Sequence, residues 1–265
     1  MKYLTLFSFS IFLLVSCQKN NHSTLSGNKL KSISSDSAGV FKFSYSGDTI
    51  SGIAGNQAAT IQYLKYGDTP SVYLSFGDNE GIKYYLNTFK LPVKIVFNNS
   101  NNGVEINSDY ADFFYHNNTN LLDSVIVYDL GTRIVFKATY SGNNISGIEE
   151  SYVYGTQITV AANYSYTYSD ENNVFLKTDS LLYIYSYPVT GMVAQAMVSA
   201  SYFAEIFSSS TFNSIHVSGI TSDYDFPDNQ TSTMTPSVNA NGKITAETFS
   251  DPVFEALAGK KYTYQ

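Results

Sequence analysis

Tryptophan is absent from this 265-residue chain, which also has a single cysteine, a single arginine (Arg133) and three histidines. A formal charge of −7 and the lack of clustered Lys/Arg exclude a nucleic-acid partner, which requires cations to displace condensed counterions. One cysteine cannot form an internal disulfide, so the fold rests on its core alone. No HExxH, glycine-rich phosphate loop or Gly-x-Ser-x-Gly elbow occurs. What is abundant is aromatic: 23 Tyr and 18 Phe, within a chain that is 43% hydrophobic and only 14% charged. That content excludes disorder over most of the length and favours β structure.

The N-terminus reads as an address. Lys2 precedes an apolar run from Leu4 to Val15 that is too short to span a bilayer and of the right length for a signal-peptide core. The run ends Leu14-Val15-Ser16-Cys17, which resembles a bacterial lipobox, with the only cysteine of the chain at the lipidated position. Residues 1–16 are thus the expected lipoprotein signal peptide and Cys17 the acylated residue, with the membrane reached through that lipid. Gln18 to Asn28 is polar and without periodicity, so residues 17–28 are the expected flexible tether. An outer-membrane lipoprotein is the implied location, facing either the surface or the periplasm.

Residues 29–265 read as one β-rich domain. Phe41, Phe43 and Tyr45 alternate with Lys42 and Ser44, and Phe136, Ala138 and Tyr140 alternate with Lys137 and Thr139. Period two over five residues marks half-buried strands. Turns are expected at Gly47-Asp48, Asn101-Asn102-Gly103, Asn143-Asn144, Asn172-Asn173 and Asn241-Gly242, since Asn and Gly accept the positive φ of tight hairpins. Residues 41–53 align without gaps on residues 136–148, and Leu30-Lys-Ser-Ile33 upstream matches Leu122-Asp-Ser-Val125. The expected fold is a mainly β antiparallel hairpin ladder, either an open twisted sheet or a partly closed barrel. One segment breaks the pattern: Val193, Met197, Ala200, Ala204 and Phe207 share a helical stripe, so a helix over about 190–207 is expected to pack on a face of the sheet.

These features resemble a group of uncharacterised Bacteroidetes lipoproteins with a β-hairpin ladder, similar in turn to tyrosine–aspartate (YD, RHS-like) repeats. Tyr128-Asp129-Leu-Gly131-Thr-Arg133 resembles one YD unit. The resemblance implies a β-ladder in the cell envelope and carries over no catalytic residue.

The candidate ligand-binding residues are tyrosines. Tyr164, Tyr166 and Tyr168 share one strand face, and Tyr183, Tyr185 and Tyr187 share a face of the strand expected beside it. Exposed, these six rings would form a platform for a glycan or protein ligand; covered, they are cross-strand core beneath the helix. Asp223, Asp225 and Asp228 alternate in a loop and offer oxygens of the kind that hold Ca²⁺, with a solvated acidic loop as the ordinary alternative. No other cofactor is indicated.

Three functions remain. The first is a non-catalytic binding module using a tyrosine-rich sheet face. The second is a glycan-active hydrolase with carboxylates drawn from separate strands, for which the local pairs Asp109/Asp112, Glu149/Glu150 and Asp170/Glu171 are candidates. The third is an assembly partner in an envelope complex. The oligomeric state carries no sequence signal.

Overall fold

A computed structural model describes residues 29–35, 39–47, 49–55, 59–66, 69–77, 80–99, 110–117, 119–129, 132–174, 196–219, 229–250 and 259–265. They form sixteen strands and one helix. The strands are β1 (Leu30–Ser35), β2 (Gly39–Ser46), β3 (Thr49–Ala54), β4 (Ala59–Tyr66), β5 (Thr69–Gly77), β6 (Glu80–Leu86), β7 (Pro92–Asn99) and β8 (Tyr110–Tyr115). They continue as β9 (Leu122–Asp129), β10 (Thr132–Ser141), β11 (Asn144–Tyr154), β12 (Gln157–Asn172), β13 (Ser210–Gly219), β14 (Gln230–Val238), β15 (Ile244–Phe249) and β16 (Lys260–Tyr264). Helix α1 (Ala196–Phe207) lies between β12 and β13.

Every strand pairs antiparallel with its sequence neighbours, and β1 pairs with β16, so the sheet closes into a barrel. Of the two expected architectures, the closed one is adopted. Closure removes both sheet edges, which would otherwise present unpaired backbone groups. The seam is made by Ile33 opposite Tyr262 and Ser35 opposite Lys260.

The two copies of the internal repeat are the β2–β3 and β10–β11 hairpins, and they match in detail. Each has its register shift at the same place, between Ser44 and Tyr45 in one and Thr139 and Tyr140 in the other. Each turns through a glycine with positive φ, Gly47 at 61° and Gly142 at 62°. A side chain at either glycine would be strained in that region of backbone space. Phe41, Phe43, Ile50 and Ile53 point inward in the first copy, as do Phe136, Ala138, Ile145 and Ile148 in the second, and all are buried.

The tyrosine of each copy has a further role. Tyr45 donates its hydroxyl to the Leu30 carbonyl at 2.6 Å, and the Tyr140 hydroxyl accepts the Leu122 amide at 2.9 Å. The arrangement recurs around the barrel: Tyr63 donates to Ile50, Tyr115 to Pro92, Tyr168 to Ile145 and Tyr264 to Ile244. In all six cases a tyrosine near the end of an even-numbered strand reaches the start of the preceding odd-numbered strand. These hydroxyls therefore tie adjacent strands together around a single mouth of the barrel, the one at which β1 begins. A hydrogen bond to a part-buried backbone group contributes about 1 kcal/mol. Tyr45→Phe and Tyr140→Phe are each expected to lower unfolding free energy by about that much, and additively, because the sites share no partner. Urea unfolding of the single and double variants checks this; no loss in either would show the latches to be incidental.

Helix α1 does not cover the outside of the sheet. Its Phe203 ring meets Phe113 of β8 at 5.8 Å and Phe136 of β10 at 5.4 Å. On the far side its Glu205 carboxylate meets Lys260 of β16 at 2.6 Å. A helix that touches strands half a circumference apart lies in the lumen. Ala200, Ser201, Phe203, Ala204 and Ile206 are all buried, so the single stripe expected from the sequence is instead burial nearly all round, as befits an internal helix. Residues 190–195 of the expected helix lie outside the described residues.

Candidate functional sites inside and outside the barrel wall

The alternation along each strand gives the barrel two surfaces, a mostly apolar inner wall and a mostly polar outer wall that also exposes apolar side chains such as Val40 and Phe114. Tyr164, Tyr166 and Tyr168 do share one face of β12, and it is the inner face. Tyr164 and Tyr166 are 2% and 5% exposed, which corrects the expectation of an exposed platform at these residues. Alternation shows that one face of a strand is buried, and here helix α1 and the inner wall bury the tyrosine face. The strand expected to carry Tyr183, Tyr185 and Tyr187 lies outside the described residues, and the neighbours of β12 are β11 and β13. Cys17, Asp223, Asp225 and Asp228 also lie outside them.

Where α1 meets β11 and β12, the inner wall is polar. The Glu150 side chain is fully buried, and its Oε2 accepts the Tyr164 hydroxyl at 2.8 Å. Its Oε1 has no protein partner, and the Tyr166 hydroxyl and Ser201 Oγ lie next to one another nearby. Burial drives the Glu150 pKa up to about 6, against hydrogen bonds from Tyr164 and Tyr152 that favour the ionised form.

A second buried cluster anchors the helix. Lys260 Nζ donates to Glu205 Oε1 at 2.6 Å, Lys260 stands opposite Glu247 in the β15–β16 ladder, and Tyr262 donates to Glu247 Oε2 at 2.6 Å. Burial alone would lower the Lys260 pKa, but Glu205 and Glu247 outweigh it and hold the ammonium above its ordinary value. Burial raises the Glu247 carboxyl, and the lysine only partly offsets this. One lysine thus serves two carboxylates. At its C-terminus the helix is held by Asn173, whose Nδ2 donates to the Glu205 and Ser208 carbonyls. Ser208 Oγ accepts the Ile145 amide at 3.0 Å, and Asn144 Oδ1 accepts the amides of Ser209 and Ser210. Ser208, Ser209 and Ser210 thus end the helix through these bonds.

The carboxylate pairs singled out from sequence are separated by the wall. Glu149 points out, opposite Lys137, while Glu150 points in, opposite Phe136. Asp112 points out, opposite Lys94, and Asp109 lies outside the described residues. Asp170 and Glu171 sit at the irregular end of β12. Of the histidines, His216 faces outward and shares a 2.8 Å hydrogen bond with Thr231, and His116 occupies the β8–β9 turn, 3.6 Å from Asp123. Among the described residues no group of three His, Cys, Asp or Glu side chains is arranged to hold a metal.

The outer wall divides into two parts. From β12 through β16 to β2 it is hydroxyl-rich: Thr167 bonds Ser214 at 2.7 Å, Thr233 bonds Ser250 at 2.6 Å and Ser32 bonds Thr263 at 2.7 Å, with Lys42 and Lys261 beside them. From β5 to β10 it carries tyrosines and cations. One row runs Tyr73, Lys83, Val96, Tyr110, Tyr128, Arg133 across successive strands, and the next runs Tyr85, Lys94, Asp112, Ile126, Val135. Tyr110 and Tyr128 stack with centroids 4.2 Å apart, and Lys94 Nζ lies 4.1 Å from the Tyr110 centroid. Lys83 Nζ lies 5.0 Å from that of Tyr85. Sequence reasoning missed this ladder, although Tyr128 and Arg133 were noted as parts of a YD-like unit; they are direct cross-strand partners.

A membrane-spanning barrel presents to lipid an apolar band about 25 Å tall. On β13, β14, β16 and β2 the described outward positions are mostly Ser, Thr and Lys, whereas on β7–β10 Val96, Ile126 and Val135 share the outer wall with tyrosines and cations.

No protein-family model and no curated protein matches the chain. Among solved structures, the fold is similar to that of a porin-like protein from Bacteroides vulgatus ATCC 8482, with a TM-score of 0.54 and 7% identity over 89% of this chain and 99% of that one. A porin-like protein from Bacteroides uniformis ATCC 8492 aligns with a TM-score of 0.47 and 14% identity, over 85% of this chain and 89% of that one. At these identities the likeness is one of fold.

Proposed function

We propose that this chain is a lipid-anchored, non-catalytic protein of the bacterial envelope whose barrel is an interaction module. The observation that carries the reading is the polarity of the barrel: core and helix inside, hydrogen-bonding groups outside. Such a wall suits a domain held in water beside a membrane, which a lipid on Cys17 and a short tether into β1 would supply. The mouth bearing the tyrosine latches is then the membrane-proximal end, because β1 starts there. The buried carboxylates support a non-catalytic role, since Glu205 and Glu247 share Lys260 within the core and Glu150 is closed off from water. The binding surface moves accordingly from the buried β12 tyrosines to the outer wall.

Cys17→Ala tests the anchor. Wild type is expected in the outer-membrane fraction and the variant to be lost from it, because residue 17 of the variant has no thiol to take the acyl chains. Equal membrane retention of both proteins would overturn the lipoprotein reading. Protease treatment of intact cells then assigns the face: digestion places the barrel outside, protection places it in the periplasm.

A further inference from the structure

We infer that the outer wall of β5–β10 binds an acidic polysaccharide, a polymer of sugars bearing carboxylates. The inference rests on the barrel wall being the interaction surface and names what that surface takes.

Charge is the first argument. The chain is formally −7, yet the outward positions fixed by the strand register hold Lys42, Lys83, Lys94, Arg133, Lys137 and Lys261 against Asp112 (opposite Lys94) and Glu149 (opposite Lys137), with the Asp123 side chain part-exposed at the start of β9. The described wall is therefore basic on an acidic protein, which directs it towards an anion.

Chemistry is the second. On β6–β10 the cations do not stand free of the aromatics: Lys83 lies over Tyr85, Lys94 over Tyr110, and Arg133 beside Tyr128. Lys83 and Lys94 thus lie with their stems along rings, while Arg133 donates one N–H to the Gly155 carbonyl at 3.1 Å and has further N–H donors on its fork. Tyr73 and Tyr85 extend the same wall at β5 and β6. The C–H faces of sugar rings pack on aromatic rings, while their carboxylates and hydroxyls take the donors.

Spacing is the third argument, and it selects among polyanions. Adjacent strands lie about 4.8 Å apart, so Lys94 on β7 and Arg133 on β10 stand roughly 14 Å apart across the sheet. Double-stranded DNA presents a charge about every 1.7 Å and rewards dense cation clusters, which this wall lacks. A polymer with one carboxylate per sugar or per few sugars fits the sparse ladder. The wall is also curved, so a flat bilayer could touch only the strands tangent to it, whereas a polymer chain can follow the row from strand to strand.

The test is retention of the full-length, detergent-solubilised protein on immobilised polygalacturonate, with dextran, double-stranded DNA and phosphatidylglycerol vesicles in parallel. Polygalacturonate is expected to retain the protein at low salt, and dextran not to. Lys94→Gln with Arg133→Gln, and separately Tyr128→Ala, should each weaken retention by about tenfold. Lys42→Gln with Lys261→Gln on the opposite wall should leave it unchanged. The inference is overturned by absent retention, by equal loss from the two walls, by equal retention on dextran, or by tighter binding to DNA or vesicles. Fractionation of Cys17→Ala is read independently, so failure of polysaccharide binding with an intact anchor removes the ligand and leaves the envelope assignment standing.

Discussion

Lys260→Met is expected to destabilise the barrel by about 3–5 kcal/mol, a large part of the stability of any single domain. Lys260 is 4% exposed and lies between Glu205 of the helix and Glu247 of β15. Removing the ammonium leaves two carboxylates in the core with only the Tyr262 hydroxyl bonded to one of them. At least one must then take up a proton or draw in water, and the tie between helix and barrel wall is lost. The loss should be smaller at pH 5 than at pH 8, because protonation relieves the stranded carboxylates. Glu205→Gln added to Lys260→Met should recover part of it. Chemical unfolding of the three variants at both pH values checks the account. A loss below 1 kcal/mol, independent of pH, would mean that the pair is solvated.

How much of this was legible in the residues depends on how local each feature is. Phe41, Phe43 and Tyr45 alternate within one strand, and their repetition at Phe136, Ala138 and Tyr140 points to two equivalent hairpins, although the positive φ of the second turn falls on Gly142 and not on the Asn143-Asn144 pair expected to carry it. Closure of the barrel joins Ile33 to Tyr262 across nearly the whole chain, and no local pattern encodes such a pairing. Alternation also shows that β12 has two faces without saying which one faces water, so the tyrosine row could be read as a platform when it is core. The helix stripe misled in the same way: Phe203 and Ile206 fall off the Ala200–Ala204 line and are buried all the same. Lys260 sits in a Lys-Lys-Tyr-Thr-Tyr run in which both lysines look like surface residues. Only the register, which puts Lys260 inward and Lys261 outward, separates them. The outer ladder is equally non-local, since Tyr110, Tyr128 and Arg133 become neighbours only once β8, β9 and β10 are paired.

Glu150→Gln is expected to stabilise the protein at pH 8 and to leave it nearly unchanged at pH 5. The folded protein holds the Glu150 carboxyl at about 6, above its ordinary value of 4.5, because burial penalises the ionised form more than the tyrosine hydrogen bonds favour it. A carboxyl with a raised folded pKa contributes fully below the unfolded value, and its contribution is lost as pH rises through the folded one. Wild type should therefore lose about 2 kcal/mol between pH 4.5 and pH 7 from this group. Glu247, which burial also raises, adds to the loss in the same direction. Glutamine keeps an acceptor for the Tyr164 hydroxyl and carries no charge to bury, so the variant should shed the Glu150 share of the slope and keep that of Glu247. At pH 8 this corresponds to a Tm about 4–8 °C above wild type for a domain of this size. Thermal unfolding of both proteins from pH 4.5 to 8 decides the matter. Parallel curves would show that the Glu150 charge is not buried in the folded state, whereas a variant less stable at every pH would make the carboxylate a structural requirement of the β11–β12 wall.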